Sequence, residues 1–317
     1  MKLFLTVIFL FVFSTCSFAQ ISVGRSHKGA FKDLRKEDYK EIKSRKTIFV
    51  VDSFDAKEFE EMLATFWDLN QYEVLTRQQY EFKKNSYITE DYSIFEFSGV
   101  LVTVTSQSGM VSEYLYLNYN YFYYTDIKEK KDGTLKYDKN EVASIFFSGD
   151  AESMWNIIGS LQYGNLVEQL YNYKIGIVKN YLQFIQKNLK DDWYSWSFAS
   201  EYDKKKMKNL ANMTLFVPDY IKTKYNGWTG EDVERENPDE LFKNYNHKYE
   251  WISLDDLNNK ILSTTEDFYY LMYLRINSIK VISIVNGKTG EIIFRDLTTF
   301  SYKLKSKDLK EINSKIK

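Results

Sequence analysis

At 317 residues, with 44% hydrophobic and 27% charged side chains, the chain has room for about two ordinary domains and a composition that excludes wholesale disorder. Lys and Arg number 43 against 44 Asp and Glu, a formal charge of −1, so no global field selects nucleic acid or a membrane surface. The 26 Tyr and 23 Phe are explained by the codon bias of an AT-rich genome, which leaves open where each ring sits.

Residues 1–19 read as a signal peptide. Lys2 is the positive start, 3–13 is apolar apart from Thr6, and Ser17 and Ala19 supply small residues at signal-peptidase spacing, so cleavage is expected after Ala19. The expectation is an exported protein, periplasmic or secreted, with no transmembrane helix in the mature chain. Lipid anchoring at Cys16 is the alternative, against which stands Thr15 where a lipoprotein signal takes a smaller residue. Cys16 is the single cysteine, so cleavage after Ala19 leaves no disulfide, thiol nucleophile or thiolate metal site.

Residues 20–30, with Gly24 and Gly29, read as a flexible lead-in and 31–44 as a solvated helix on a narrow face of Leu34, Tyr39 and Ile42. The run 47–51 is β-branched and aromatic, as in a central strand covered on both sides. Phe59, Met62, Leu63, Phe66 and Trp67 then draw one stripe on a helix of about four turns that Ser53 or Asp55 can cap. A strand over 72–75 runs into a capping box of Thr76 and Gln79 that starts a short helix. Strands at 92–97, 100–105 and 113–125, broken at Ser98-Gly99 and Gln107-Ser108-Gly109, suggest an antiparallel meander, with a hairpin at Asp132-Gly133.

The pattern is helical over roughly 150–190. Asn165 and Glu168 read as a capping box for a helix reaching Leu189, and 191–203, with Trp193 and Trp196, as the turn out of it. The order of the first half then returns. The block beginning Thr47 and ending Asp52 is matched by Thr214 to Asp219, Tyr72-Glu73 by Tyr249-Glu250 with Ser253 and Asp256 as its cap, and Glu90-Asp91 by Glu266-Asp267. One insertion before Tyr249, with 227–238 the candidate, accounts for most of the difference in spacing; a short helix at Asn237-Pro238, strands at 268–274, 279–285 and 291–295 and a helix over 303–316 complete the copy. The expected fold is α/β (or α+β): two duplicated mixed-sheet domains in β-α-β-α-β-β-β order, at 20–149 and 203–317, joined by a helical block at 150–202.

Chemistry is sparse. His27 and His247 have no positional partner, and Gly287-Lys288-Thr289 lacks both the upstream glycine and the following helix of a phosphate loop. No catalytic, cofactor or metal residues are assigned. Asp138, Asn140 and Glu141 lack the ligand count of a calcium loop. The pairs Glu90-Asp91 and Glu266-Asp267 would need to meet across copies to act as acid and base, so turn chemistry explains them better. Candidate partner contacts are Trp228, set between Gly227 and Gly230, and the ladder Tyr119, Tyr121 and Tyr123 on one face of a strand. For Trp228 the alternative is packing back onto the body, and for the ladder it is cross-strand pairing inside the sheet.

The series from Thr47 to Thr105, including Val74-Leu75-Thr76-Arg77 at a strand end, resembles the small α/β domain of the curli-secretion lipoprotein and of the N-terminal domain of the Tol propeller protein. The second copy has Leu254 where the first has Arg77, and the glycines usual after the first strand are absent. The chain as a whole looks like exported proteins of Bacteroidetes-type bacteria. The resemblance implies a non-enzymatic cell-envelope protein that binds other proteins, and the expectation is a binding or assembly module with a protein or glycan of the envelope as partner and no nucleic acid. The alternative is an exported hydrolase acting on an envelope glycan through acidic residues.

Overall fold

The computed structural model describes residues 20–27, 30–32, 34–105, 109, 111–160, 165–195, 200–299 and 301–317. The expectations placed on residues 1–19, Gly29, Gln107, Ser108 and Trp196 lie outside the described residues. The first half runs β1 (Ile21–Val23), β2 (Arg25–His27), β3 (Ala30–Lys32), α1 (Lys36–Ser44), β4 (Lys46–Val51), α2 (Ala56–Ala64), β5 (Tyr72–Thr76), α3 (Arg77–Lys83), β6 (Tyr92–Thr105), β7 (Val111–Glu129) and β8 (Leu135–Phe147). Three helices follow, α4 (Ala151–Ser160), α5 (Leu166–Gln169) and α6 (Ile175–Lys190). The second half runs β9 (Glu201–Tyr202), α7 (Lys204–Met207), β10 (Leu215–Pro218), β11 (Thr223–Asn226), β12 (Glu231–Glu234), β13 (Tyr249–Ile252), α8 (Leu254–Ser263), β14 (Tyr269–Ile276), β15 (Ile279–Asn286), β16 (Ile292–Thr298) and α9 (Ser306–Lys315).

These strands build a mixed α/β protein around two six-stranded sheets, ordered β1-β8-β7-β6-β4-β5 and β9-β16-β15-β14-β10-β13. The orders correspond strand for strand. In each sheet one strand, β4 or β10, is parallel to both neighbours, and the remaining pairs are antiparallel. A β-bulge recurs at the same place: Val142 is skipped where β8 passes Tyr121 and Phe122, and Ile293 where β16 passes Ile284 and Val285. Register also corrects the match between halves by one residue. Thr47 lies opposite Tyr72 and Ser93 as Leu215 lies opposite Tyr249 and Tyr269, so Leu215, not Thr214, is the counterpart of Thr47.

Local chemistry starts the helices where the sequence placed their caps. Asp55 accepts from the backbone of Lys57 and Glu58, Thr76 and Gln79 close a full capping box, and Ser253 accepts from Asp256. Elsewhere long-range pairing overrides local pattern. The lead-in holds β1, an edge strand on β8, and the first helix begins only at Lys36. Ser98-Gly99 does not turn the chain; it lies inside the 14-residue β6, with Gly99 opposite Leu117 and Ser98 bonded by Asn120, so two long strands replace three short ones. The helix expected from Asn165 to Leu189 is broken. Asn165 provides no side-chain cap, Leu170 bridges to Gly149, and Asn172 turns its amide to the Ser148 N–H, the Phe146 carbonyl and the Tyr181 hydroxyl. The insertion is the β11–β12 hairpin, and the turn opened by Pro238 is a 3-10 helix (Pro238–Phe242).

α6 lies at the centre of the core. On one side it faces the first sheet beside α2, and on the other it meets α8 and the second sheet in one continuous apolar cluster. Gly176 of α6 lets the backbones touch: its N–H donates to Asn258 Oδ1 at 2.7 Å, and a Cβ there would come within 2.7 Å of the Asn258 carbonyl. A second clip joins the halves at the surface, where the Asn277 amide accepts from the Leu115 N–H (2.9 Å) and donates to its carbonyl (3.2 Å), as a neighbouring strand would. Among the described residues no helix is long and apolar enough to cross a membrane.

Candidate functional site: the seam groove and an outer cleft

The two strands of the β11–β12 hairpin are tied down at their base. Arg235 donates to the carbonyls of Ile221 (3.1 Å), Thr223 (3.2 Å) and Leu304 (3.3 Å), and Asp232 accepts from the Ala151 N–H at 3.0 Å. Its tip is shaped by Asn226, whose carbonyl takes the Gly230 N–H and whose side chain takes the Trp228 N–H, with Gly230 at φ 76°. Gly227 lets the Tyr302 ring lie close, since a Cβ there would fall 2.5 Å from the Tyr302 hydroxyl and push that ring aside. Trp228 projects from this mount 98% exposed.

Beside the hairpin runs a groove of about 310 Å³ along the seam between the halves. Tyr114 of β7 and the half-exposed Trp155 of α4 form its first-half wall, and Tyr225 and Tyr302, in edge contact at 5.4 Å, form the other. Arg275 stacks over Tyr225 at 3.9 Å, and its guanidinium is 3.6 Å from Asp232. The ends of β6 and β7 next to it project past β4 and β8 as a two-stranded ribbon with Val100, Leu101, Val102 and Val111 exposed. Aromatic walls, one cation and an apolar ribbon are features of a protein-contact surface.

The ladder is not part of it. Tyr119, Tyr121 and Tyr123 are buried on the α6 side of the first sheet: Tyr121 stacks on Phe95 at 4.2 Å and accepts or donates with Thr47, and the Tyr123 hydroxyl donates to Asp38. They are core residues and leave the set of partner contacts. The paired carboxylates are exposed and serve turns, with Thr89 accepting the Asp91 N–H and Thr264 the Glu266 N–H. His27 lies in β2, His247 beside Tyr245. Among the described residues no three metal-ligating side chains converge.

A second concavity, of about 300 Å³, lies on the outer face of the first sheet. The bulge at Val142 creates it, because it brings Glu141 and Ser144, three apart, onto the face shared by Asn118, Asn120 and Phe122. The Ser144 hydroxyl donates to Glu141. Burial pushes the Glu141 carboxyl up to about 7, against the Ser144 hydrogen bond and the Lys139 charge, which pull it down. The folded chain therefore binds this proton more tightly than the unfolded one, and the resulting stability is present below the ordinary value of 4.5 and lost as pH rises through about 7. Glu141→Gln should remove that slope and be more stable than the parent at pH 8 by about 1–3 kcal/mol. Urea melts at pH 5 and 8 measure it; parallel shifts at both would show that the carboxyl titrates normally.

Glu141 was legible only as part of a calcium-like run, and its spacing to Ser144 conceals a shared face that the bulge alone creates. Asn118 and Asn120 carried a signal, two amides alternating through a Tyr-rich strand. Comparison with family models, characterised proteins and solved structures returns no match.

Proposed function

We propose that the chain is a non-enzymatic, exported binding or assembly protein of the cell envelope that takes a protein partner at the seam groove. The observation that carries the reading is Trp228, a fully displayed indole on a hairpin anchored by Arg235 and Asp232 beside an aromatic-walled groove. A large ring held out on an ordered mount binds with little loss of conformational freedom, and Trp, Tyr and Arg are the residues that dominate interfaces. The export part rests on the pattern of residues 1–19, and the protein-binding part also on the resemblance carried by Val74 to Arg77.

A photo-crosslinking residue placed at 228 in the producing cell tests it. Discrete adducts with envelope proteins are expected from position 228, absent when the probe replaces the exposed Phe82 on α3, and lost when Trp155→Ala is added. Identical adducts at 228 and 82, or none at 228, would remove the seam as the partner surface.

A further inference from the structure

The two halves treat one face of their sheets in opposite ways. In the second sheet the positions that the shared bulge and register make equivalent to Asn118, Phe122 and Glu141 are Val281, Val285 and Ile292, and these pack in the core cluster that contains α6. In the first sheet α3 and the 3-10 helix Lys84–Tyr87 cover part of the corresponding face, and among the described residues no other helix does. A merely solvated strand face would expose its polar groups and hold no apolar floor. Here Phe122 and Phe146 are buried at the base, Ser144 is buried with its hydroxyl spent on Glu141, and the Asn118 side-chain carbonyl is buried with no hydrogen-bond partner among the described residues.

The balance of polar groups defines what fits. Asn120 already donates to Ser98 at 2.7 Å, and the Lys139 ammonium sits 3.5 Å from the Phe122 ring centroid and makes no ion pair among the described residues. The open needs are thus a donor for the Asn118 carbonyl and an acceptor for Lys139, within one small cavity. An anionic ligand would suit Lys139 and be repelled by an ionised Glu141; an ammonium ligand would suit Glu141 and be repelled by Lys139. A hydroxyl group both donates and accepts, so neighbouring hydroxyls on a pyranose ring can meet both needs without a net charge. The volume lies at the lower end for small-molecule pockets. We infer that this outer cleft is a binding site for a neutral saccharide unit, separate from the seam groove.

The test is saturation-transfer NMR and titration calorimetry on the full mature chain with maltotriose and triacetylchitotriose as probes, and glucosamine and gluconate as charged comparators. Binding of at least one neutral sugar is expected, weakened ten-fold or more in Asn118→Ala and in Lys139→Met, with both variants checked by thermal melt to be folded. Trp228→Ala should bind sugar like the parent, so a failed seam and a failed cleft give different patterns. Absence of transfer from both neutral sugars, equal binding by the charged comparators, or unchanged affinity in Asn118→Ala would each overturn the proposal.

Discussion

Trp67→Ala should lose about 3–5 kcal/mol of stability in a urea melt, while Trp228→Ala stays within about 0.5 kcal/mol of the parent. Trp67 follows the last turn of α2 and meets Phe49 edge-on at 5.0 Å, Phe95 at 6.3 Å and Tyr121 at 6.5 Å. Its truncation leaves a hole among rings that β4, β6 and β7 hold rigidly. The loss extends beyond packing, because Trp67 Nε1 donates to Asn70 Oδ1 at 3.1 Å, and Asn70 also accepts from Thr47 (2.9 Å) and donates to the Ile42 carbonyl (2.8 Å). One ring thus braces the junction of α1, β4 and α2. A loss of this size is a large fraction of a domain's 5–15 kcal/mol. Equal losses in the two variants would mean that the hairpin tip packs against the body in solution, and Trp228 would cease to be a contact candidate.

Arg77→Met should cost a comparable amount, about 3–5 kcal/mol, at neutral pH. Arg77 opens α3, directly after β5, and reaches across β4. Its Nε and one terminal nitrogen grip both oxygens of Asp52 at 3.1 and 2.8 Å, the other terminal nitrogen takes Glu96 at 3.0 Å, and the Phe97 carbonyl accepts at 3.1 Å. Burial works against the guanidinium, but Asp52 and Glu96 outweigh it and hold the proton more firmly than usual. The Asp52 side chain is 4% exposed, and burial already raises its carboxyl despite the pull of Arg77. Without Arg77 it rises further, so the folded variant binds that proton more tightly than the parent and its deficit should shrink as pH falls from 7 toward 4. Adding Asp52→Leu should recover part of the loss. A deficit independent of pH, with no recovery in the double variant, would show that Arg77 acts through packing alone.

The strand of origin, the caps and the repeated strand order were legible because they depend on neighbours a few residues apart: Asp55 on Glu58, Thr76 on Gln79, Ser253 on Asp256. What sequence could not show depends on partners far along the chain. Tyr119, Tyr121 and Tyr123 alternate as an exposed or a buried ladder would, and only α6, some fifty residues on, decides for the core. Strand β1 is three residues long and exists because β8 offers an edge. The one-residue slip between Thr47 and Leu215 is invisible in aligned blocks and obvious in register. The outer cleft was hidden for a related reason: a period of two cannot put Glu141 and Ser144 on one face, and a bulge can.

The position of α6 also decides how the seam groove can operate. Clamshell proteins close on what they bind because two lobes share a hinge and a thin interface. Here the lobes share a helix that is interior to both, its Gly176 pressed on the backbone of α8, and Asn277 fastens the rim beside Tyr114. These contacts oppose any widening of the gap between the walls carrying Trp155 and Tyr302. If the groove takes a partner as proposed, selection would come from shape presented in advance, as a keyway admits a key, and the occupant would bring its own flexibility to the encounter.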